Sequence, residues 1–351
     1  MTRNRCVDDY KPGQAQVTHY ADRARDGTAL IKYSPFMITE DHAAAWRTVT
    51  DAVHKEGGKI FFQAWHAGRR QHDQMPIIKE MGGRVLAPSS IKADAGKYRD
   101  LPGAPGHTGN VVAIEDPREV VETFRHSLQL AKKAGFDGSE LLAQGGYLPQ
   151  QFLNTRANKR TDSYGGSVEN RCRFILEIVD VISQVFGGPE FVCVKLNPTD
   201  FVNDSVVTFD EMKETYTYLI KELVARKVRI INLSHFFGRT PRPAEHPLPP
   251  GYDPVLDFGP LVKFPGSLSL LMANHDYTVE EADRLVRDGK LDLITFGRPF
   301  NYNTDVVSRI RHGIPLSDNT RGNAVHYGPY KAPHENYNDW PAAPISDRVI
   351  S

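Results

Sequence analysis

Short apolar segments alternate with amphipathic ones along the whole chain. The short segments are rich in β-branched and aromatic residues, as strands are, and the longer ones repeat apolar positions at helical spacing. Strands are predicted at 29–36, 59–65, 136–142, 191–196, 229–234, 268–274 and 291–297, and helices at 42–54, 117–134, 167–185, 209–225, 278–287 and 305–312. Because parallel strands need crossover connections, this alternation predicts an α/β fold with a parallel sheet.

The predicted strands number seven, whereas a closed (β/α)8 TIM barrel has eight. Residues 14–26, ahead of the first strand, have the character of a loop and helix, so residues 1–13 are interpreted as the loop that follows an absent strand. The predicted fold is therefore a TIM barrel that lacks its N-terminal first strand. An open doubly wound sheet is the alternative, although no GxGxxG fingerprint follows an early strand.

The predicted elements form a single TIM-barrel domain over residues 1–351. Residues 66–116 are too long for an ordinary connection between strand and helix, and they contain a strand-like piece at Arg84 to Ala87, so they are interpreted as an inserted loop or lid. The tail at 315–351 has little periodicity, and we expect it to wrap the barrel as coil and short turns.

Composition and charge indicate a soluble protein that binds small molecules. A quarter of the residues are charged and the formal net charge is zero, so no basic surface predicts a nucleic-acid partner. No apolar run approaches the ~20 residues that span a bilayer, and the N-terminal sequence does not resemble a signal peptide, so we expect a cytoplasmic monomer or homodimer without membrane contact. The three cysteines lie far apart in the sequence and are expected to be reduced thiols. The sequence contains no HExxH motif, so we expect no metal site of that kind.

One stretch, from Gly135 to Phe174, carries most of the candidate chemistry. An apolar strand ends there in the pair Gly145-Gly146, and a polar segment follows before a helix that begins near Ser167. A strand whose carboxyl end opens into an elaborate loop is where α/β enzymes build their sites. We therefore expect the functional residues to follow this strand.

The sequence of this stretch, GFDGSELLAQGGYLPQQFLNTRANKRTDSYGGSVENRCRFILEIVD, resembles the signature of the Old Yellow Enzyme family of FMN-dependent ene-reductases. Further matches follow in the family's order: MTRNR at the start, GGKIFFQAWHAGR at 57–69, APSSI at 87–91, TFGRPFNYNTD at 295–305 and NYNDWP at 336–341. The resemblance implies a (β/α)8 barrel with FMN at its C-terminal mouth. It also implies reduction by NADPH and hydride transfer to an activated C=C bond of a small substrate.

The resemblance implies a role for several individual residues. Thr2 would donate or accept a hydrogen bond at the flavin, Gln63 would recognise its pyrimidine edge, and Gly297 with Arg298 would hold the FMN phosphate. A glycine lets the backbone approach phosphate, and a guanidinium pairs with its oxygens.

The same resemblance assigns residues to the substrate side of the site. Tyr147 matches the family's proton donor, whereas Trp65 and Tyr327 match residues that shape the substrate pocket.

The chain departs from the family at the residues that bind the substrate carbonyl. Leu142 and Gly145 stand where the family has a His and an Asn or His that bind the substrate carbonyl, and neither side chain can donate a hydrogen bond. Losing one such donor typically costs ~10²- to 10³-fold in rate. Gln144 is the nearest polar side chain that could substitute.

The expected flavin contacts differ as well. Lys195 replaces an Arg that faces the flavin. This replacement keeps the positive charge but loses the planar guanidinium that can donate two parallel hydrogen bonds. Asn274 and His275 replace a Gly-Gly pair at the phosphate, and Ser34 replaces a Gly after the family's second strand.

These observations support an atypical Old Yellow Enzyme homologue, an NADPH-dependent flavin oxidoreductase of specialised metabolism. Two alternatives remain open. The first is a redox-neutral isomerase or cyclase in which the flavin is structural or absent, and the second is a non-catalytic truncated paralogue.

Overall fold

The strands and helices follow one another much as their periodicity predicts. The computed structural model describes residues 5–6, 8–80, 82–94, 106–234, 242–323, 325 and 328–344. Its strands are β1 (Leu30–Tyr33), β2 (Lys59–Ala64), β3 (Val85–Ala87), β4 (Val111–Ala113), β5 (Gly138–Ala143), β6 (Val192–Leu196), β7 (Ile230–Ser234), β8 (Leu270–Asn274) and β9 (Leu293–Thr295). Its helices are α1 (Gln14–Arg25), α2 (Glu40–Lys55), α3 (Pro76–Glu80), α4 (Pro117–Lys133), α5 (Leu148–Leu153), α6 (Val168–Phe186), α7 (Phe209–Ala225), α8 (Pro254–Val262), α9 (Val279–Arg287), α10 (Arg298–Tyr302) and α11 (Val306–Arg311).

Seven of the strands form one sheet in the order β1-β2-β5-β6-β7-β8-β9. The pairs β1–β2, β5–β6, β6–β7, β7–β8 and β8–β9 are all parallel. These are the seven strands that the sequence predicts, so the prediction of a parallel α/β sheet is confirmed. The carboxyl ends of β5 to β9, which lie in consecutive parallel pairs, therefore share one edge of the sheet.

The inserted region at 66–116 contains a second, smaller sheet. Strands β3 and β4 pair in parallel, with Val85 opposite Val111. The strand predicted at Arg84 to Ala87 is thus confirmed as β3. Strand β4 and helix α3 were not predicted.

The chain forms two compact units by its internal contacts. The first comprises Met1–Gln63, His126–Gly138 and Phe296–Ser351, and the second comprises Ala64–Arg125 and Ser139–Thr295. A single barrel domain over the whole chain stays a prediction.

In the first unit, the C-terminal tail packs on α1. The ring of His19 stacks on that of Tyr337 with centroids 3.8 Å apart, and Asn338 Nδ2 donates to the carbonyl of Ala15. Residues 328–344 form turns and irregular segments without a helix or strand.

In the second unit, α6 begins and ends where the sequence indicates. Ser167 Oγ accepts a hydrogen bond from the backbone N–H of Asn170, which caps the first turn. Gly187 ends the helix with a left-handed φ of 101°. Between them, Phe174 stacks on Phe152 of α5 at 4.1 Å, so α6 anchors the helix that follows the candidate loop.

The three cysteines are free, as predicted. Burial raises the pKa of Cys6 to about 11 and that of Cys172 to about 12, so neither thiol is activated as a nucleophile. None of the described helices is both long and apolar enough to cross a bilayer.

Candidate functional site

The loop after β5 is held by residues that follow β6. Asp200 Oδ2 accepts a hydrogen bond from the backbone N–H of Gly145 at 2.5 Å, and Asn203 Nδ2 donates to the carbonyl of Gly145 at 2.6 Å. Burial raises the pKa of Asp200 to about 6, although hydrogen bonds from Gly145 and Val202 oppose that shift. Both backbone groups of Gly145 are therefore fixed by side chains.

Tyr147 lies directly behind this fixed backbone, at the start of α5. Its ring meets that of Trp65 edge to face, with centroids 5.0 Å apart. Trp65 is 38% exposed and Tyr147 is partly exposed. The structure thus brings two residues of the predicted substrate pocket together, with the phenol restrained on one side by an indole.

Leu142 and Lys195 lie in one row of the sheet. Leu142 pairs with Lys195, Lys195 with Asn232, and Asn232 with Met272. Because paired residues of parallel strands point to the same face, the apolar Leu142 lies beside a cation and an amide. Both Leu142 and Lys195 are only partly buried.

A chain of buried polar side chains follows the same face of the sheet. Glu140 Oε2 accepts hydrogen bonds from Cys193 Sγ at 3.1 Å and from Asn232 Nδ2 at 3.0 Å. Asn232 Oδ1 in turn accepts from Asn274 Nδ2 at 2.7 Å. The side chain of Asn274 is therefore bound within the protein, which leaves its backbone for any contact with a cofactor.

Sequence analysis missed this chain. The available signal was the presence of polar residues at every second position of otherwise apolar strands, as in Asn232 and Ser234 of β7. Alternation alone places such residues on one face, but it does not show which residues of the neighbouring strands they meet.

Gln144 and Ser234 continue the chain at the carboxyl edge of the sheet. Ser234 Oγ lies 2.6 Å from Gln144 Oε1 and 3.0 Å from Asn274 Oδ1. Ser234 and Asn274 are the last residues of β7 and β8, and Gln144 directly follows β5. A polar layer thus lies at the edge where sites form in parallel α/β folds.

His275, which follows β8, has an unusual backbone conformation. Its φ is 93°, in the left-handed region that glycine prefers, and its Nε2 lies 3.5 Å from Asp276 Oδ2. The backbone at position 275 therefore has a conformation that favours glycine, although the residue is a histidine.

The remaining flavin contacts that the sequence predicts lie in the first unit. Ser34 Oγ is buried and has no hydrogen-bond partner among the described residues. Gln63 is partly buried at the end of β2. Gly297 precedes Arg298, the first residue of α10, and a Cβ atom on Gly297 would meet no other atom within 4 Å. Open space thus surrounds the glycine that is predicted to approach phosphate.

Two predicted site residues, Thr2 and Tyr327, lie outside the described part of the chain. Their roles at the flavin and in the substrate pocket stay predictions.

His66 is a neutral hydrogen-bonding residue next to the site. Burial lowers its pKa to about 4, and its Nδ1 accepts from the backbone N–H of Gly68 at 3.0 Å. Its carbonyl accepts from the N–H of Leu148, the first residue of α5, at 2.9 Å. His66 therefore helps to position the segment that carries Tyr147.

Comparison with known proteins decides the family. A family model described as NADH:flavin oxidoreductase / NADH oxidase matches residues 1–317. The solved structure of the Old Yellow Enzyme homologue from Zymomonas mobilis matches with a TM-score of 0.80 and 26% identity, over 98% of this chain and 94% of that one.

The chain belongs to the Old Yellow Enzyme family.

Two further relatives agree with this family. A Leishmania infantum protein described as a probable flavin mononucleotide-dependent alkene reductase is 33% identical over 361 residues, which covers 97% of this chain and 91% of that protein. A morphinone reductase variant solved in complex with tetrahydroNAD has a TM-score of 0.80 and 31% identity, over 100% of this chain and 93% of that one.

Several predictions are confirmed by this membership. The fold is the α/β TIM barrel of the Old Yellow Enzyme family, and the chain is an FMN-dependent oxidoreductase of the ene-reductase type. FMN is its cofactor, and a nicotinamide nucleotide is its reductant.

Proposed function

We propose that this Old Yellow Enzyme homologue uses NADPH to reduce a C=C bond that is conjugated to an electron-withdrawing group in a small organic substrate. The observation that carries the proposal is Tyr147, held edge to face against Trp65 just after β5. When bound, FMN supplies the redox chemistry by accepting a hydride from NADPH and passing it to the alkene. The overall reaction converts C=C, NADPH and a proton into CH–CH and NADP⁺.

Tyr147 is proposed to supply the proton to the carbon that does not receive the hydride. Proton transfer by a positioned side chain contributes ~10²- to 10⁴-fold to rate. Positioning is supported by the fixed backbone of Gly145 and by the packing of the phenol ring on Trp65. Leu142 lies in β5, before the loop that leads to Tyr147, so its substitution leaves the phenol in place.

The residues of the second unit that we propose for the flavin are Lys195, Asn274 and His275. The Lys195 ammonium offers a positive charge to the electron-rich part of the ring system. At Asn274 and His275 the backbone is proposed to contact phosphate, because the Asn274 side chain is bound to Asn232 and His275 keeps a glycine-like φ.

The residues of the first unit that we propose for the flavin are Ser34, Gln63, Gly297 and Arg298. The partnerless hydroxyl of Ser34 and the open space at Gly297 fit a bound group that supplies the missing contacts. An Arg that follows a strand end is suited to pair with phosphate oxygens.

The substrate is proposed to be bulkier than a simple enone. Leu142 offers an apolar surface where a charged or polar group would need a donor, and Trp65 is 38% exposed near Tyr147. Such a substrate suits a role in specialised metabolism in the cytoplasm, with the protein acting as a monomer or homodimer.

A two-stage anaerobic experiment tests the proposed function. The protein is incubated with FMN, freed of unbound cofactor and mixed with NADPH. A yellow protein whose absorbance near 450 nm is bleached by NADPH supports it. A protein that stays colourless contradicts hydride transfer and favours the non-catalytic paralogue. A yellow protein that NADPH does not bleach favours the redox-neutral isomerase or cyclase. NADH in place of NADPH tests the choice of nicotinamide.

A further inference from the structure

Gln144 is placed to meet a ligand at the carboxyl edge of the sheet. It directly follows β5 and precedes Tyr147 by three residues, within the same compact unit. Its side chain is only 8% exposed, so a hydrogen bond made there would be largely shielded from water.

The two polar atoms of Gln144 are used differently. Oε1 lies 2.6 Å from Ser234 Oγ. Nε2 has no hydrogen-bond partner among the described residues, and it is not one of the partnerless atoms that are sealed from solvent. The amide therefore has one end bound by the protein and one donor end that a ligand can reach.

Ser234 sets the direction in which the amide points. Its hydroxyl carries one proton and has two oxygen atoms within reach, Gln144 Oε1 at 2.6 Å and Asn274 Oδ1 at 3.0 Å. The shorter distance is typical of an O–H···O hydrogen bond and shorter than an N–H···O bond. Ser234 therefore donates chiefly to Gln144 Oε1, and this bond keeps the N–H groups of Gln144 away from Ser234.

Ser234 is itself fully buried at the end of β7. The polar side chains around it are fixed as well, since Asn274 donates to Asn232 and Asn232 donates to Glu140, all three being buried. The hydroxyl that orients Gln144 is therefore part of the protein interior and not a mobile surface group.

We propose that Gln144 Nε2 donates a hydrogen bond to the electron-withdrawing group of the alkene, a role that rests on the proposed function. As hydride adds to the far carbon of the C=C bond, electron density moves onto the oxygen of that group. An N–H that already points at this oxygen stabilises the charge that develops there. Gln144 is thus a catalytic residue that acts together with Tyr147.

The geometry also points to a substrate class. The donor is one neutral amide, and Leu142, two residues before it in β5, is apolar. Neutral hydrogen bonds are about half as strong as charge-assisted ones, so the substrate itself must hold much of the developing charge. Nitroalkenes meet this requirement better than simple enones, because a nitro group delocalises charge over two oxygens. The site therefore prefers an alkene activated by a nitro or comparably strong acceptor group.

Steady-state kinetics of the FMN-loaded protein with 1-nitrocyclohexene and cyclohex-2-enone test this proposal. Wild type is expected to have the higher kcat/KM for the nitroalkene. Gln144→Leu is expected to lower kcat by ~10²-fold on both substrates while flavin reduction by NADPH is unchanged. Gln184→Leu, at an exposed glutamine of α6, is the matched control and should retain wild-type rates. Loss of less than threefold in Gln144→Leu, or preference for the enone, would overturn the proposal.

Equilibrium binding separates this proposal from the proposed function. The non-reducible nitrocyclohexane is titrated calorimetrically into the FMN-loaded protein, which needs no turnover. Gln144→Leu and Ser234→Ala are each expected to weaken binding by ~3- to 10-fold, because one neutral hydrogen bond is lost or misdirected. Thermal unfolding checks that each variant is folded. If Gln144→Leu does not fold, Gln144→Met is used in its place. If both variants bind nitrocyclohexane as tightly as wild type, or if wild type does not bind it, the role of Gln144 is contradicted even if NADPH bleaches the flavin.

Discussion

A Cβ atom on Gly145 would lie 3.0 Å from Cε2 of Tyr147. This distance is shorter than the ordinary van der Waals contact between two carbons. The backbone of Gly145 is also fixed by Asp200 and Asn203, so it has little freedom to move aside. The glycine and the phenol therefore fit together as one packed unit, and the absence of a side chain at 145 is part of how Tyr147 is positioned.

Gly145→Ala should displace the Tyr147 ring and reduce alkene turnover. Its φ of 75° is also unfavourable for alanine, which should cost about 1 kcal/mol of unfolding free energy. Gly166→Ala is the matched control, because Gly166 has a φ of 78° but no atom within 4 Å of its added Cβ. Both variants should lose similar stability in urea unfolding, and only Gly145→Ala should lose at least ~10-fold in kcat. Equal kcat in the two variants would contradict the packing argument.

Tyr147→Phe should slow proton transfer without affecting flavin reduction. Removal of the hydroxyl leaves the ring and its contact with Trp65 in place, so the fold and the pocket shape are kept. A positioned general acid contributes ~10²- to 10⁴-fold, and reoxidation of NADPH-reduced protein by 1-nitrocyclohexene should yield product more slowly by about that factor. Stopped-flow absorbance with product analysis measures both half-reactions. A product-forming rate within threefold of wild type would show that solvent or another group supplies the proton.

His275→Gly should stabilise the protein and leave the phosphate contact intact or stronger. A non-glycine residue with a φ of 93° carries backbone strain of about 1 kcal/mol or more, and glycine relieves it. Lys227→Gly is the control, because Lys227 has a φ of 60° just after α7. Both variants should unfold at higher temperature, and the FMN dissociation constant, measured by flavin fluorescence, should be unchanged in Lys227→Gly and unchanged or lower in His275→Gly. Weaker FMN binding in His275→Gly would show that the imidazole, not the backbone, makes the contact.

Asp200 should make stability fall as pH rises through the acidic range. Its folded-state pKa of about 6 lies above the ordinary value of 3.8 for an aspartate, so the folded protein binds the proton more tightly than the unfolded chain does. The stabilising contribution is present below pH ~4 and is lost as pH rises to ~6, a change of about 3 kcal/mol. Denaturant unfolding between pH 3.5 and 7 should show this fall in wild type and a flatter profile in Asp200→Asn. Parallel profiles would contradict the assignment to Asp200.

Much of the fold follows from local sequence signals. The strands were predicted because each has an apolar run of β-forming residues, and α6 because Ser167 caps a long periodic segment. Other elements escaped prediction, including the nine-residue α8, whose pattern is interrupted by Pro260. Helix α5 has six residues, all buried, so it shows no alternation between an apolar and a polar face.

The candidate site was only partly predictable. Tyr147, Leu142 and Gly145 were found because the motif around them resembles a family signature, but their contacts depend on tertiary structure. The bond between Gln144 and Ser234 joins residues 90 positions apart, and it exists because β5 and β7 both flank β6 in the sheet. Neither residue carries a signal for that pairing until the strand order is known.

The mass of the product formed from 1-nitrocyclohexene tests the central claim most directly. The FMN-loaded protein is incubated anaerobically with NADPH and the nitroalkene, and product mass and NADPH consumption are measured together. Reduction of the C=C bond predicts a product two mass units heavier than the substrate and one NADPH oxidised for each molecule formed. A product of unchanged mass, or oxidation of NADPH without alkene reduction, would contradict the account.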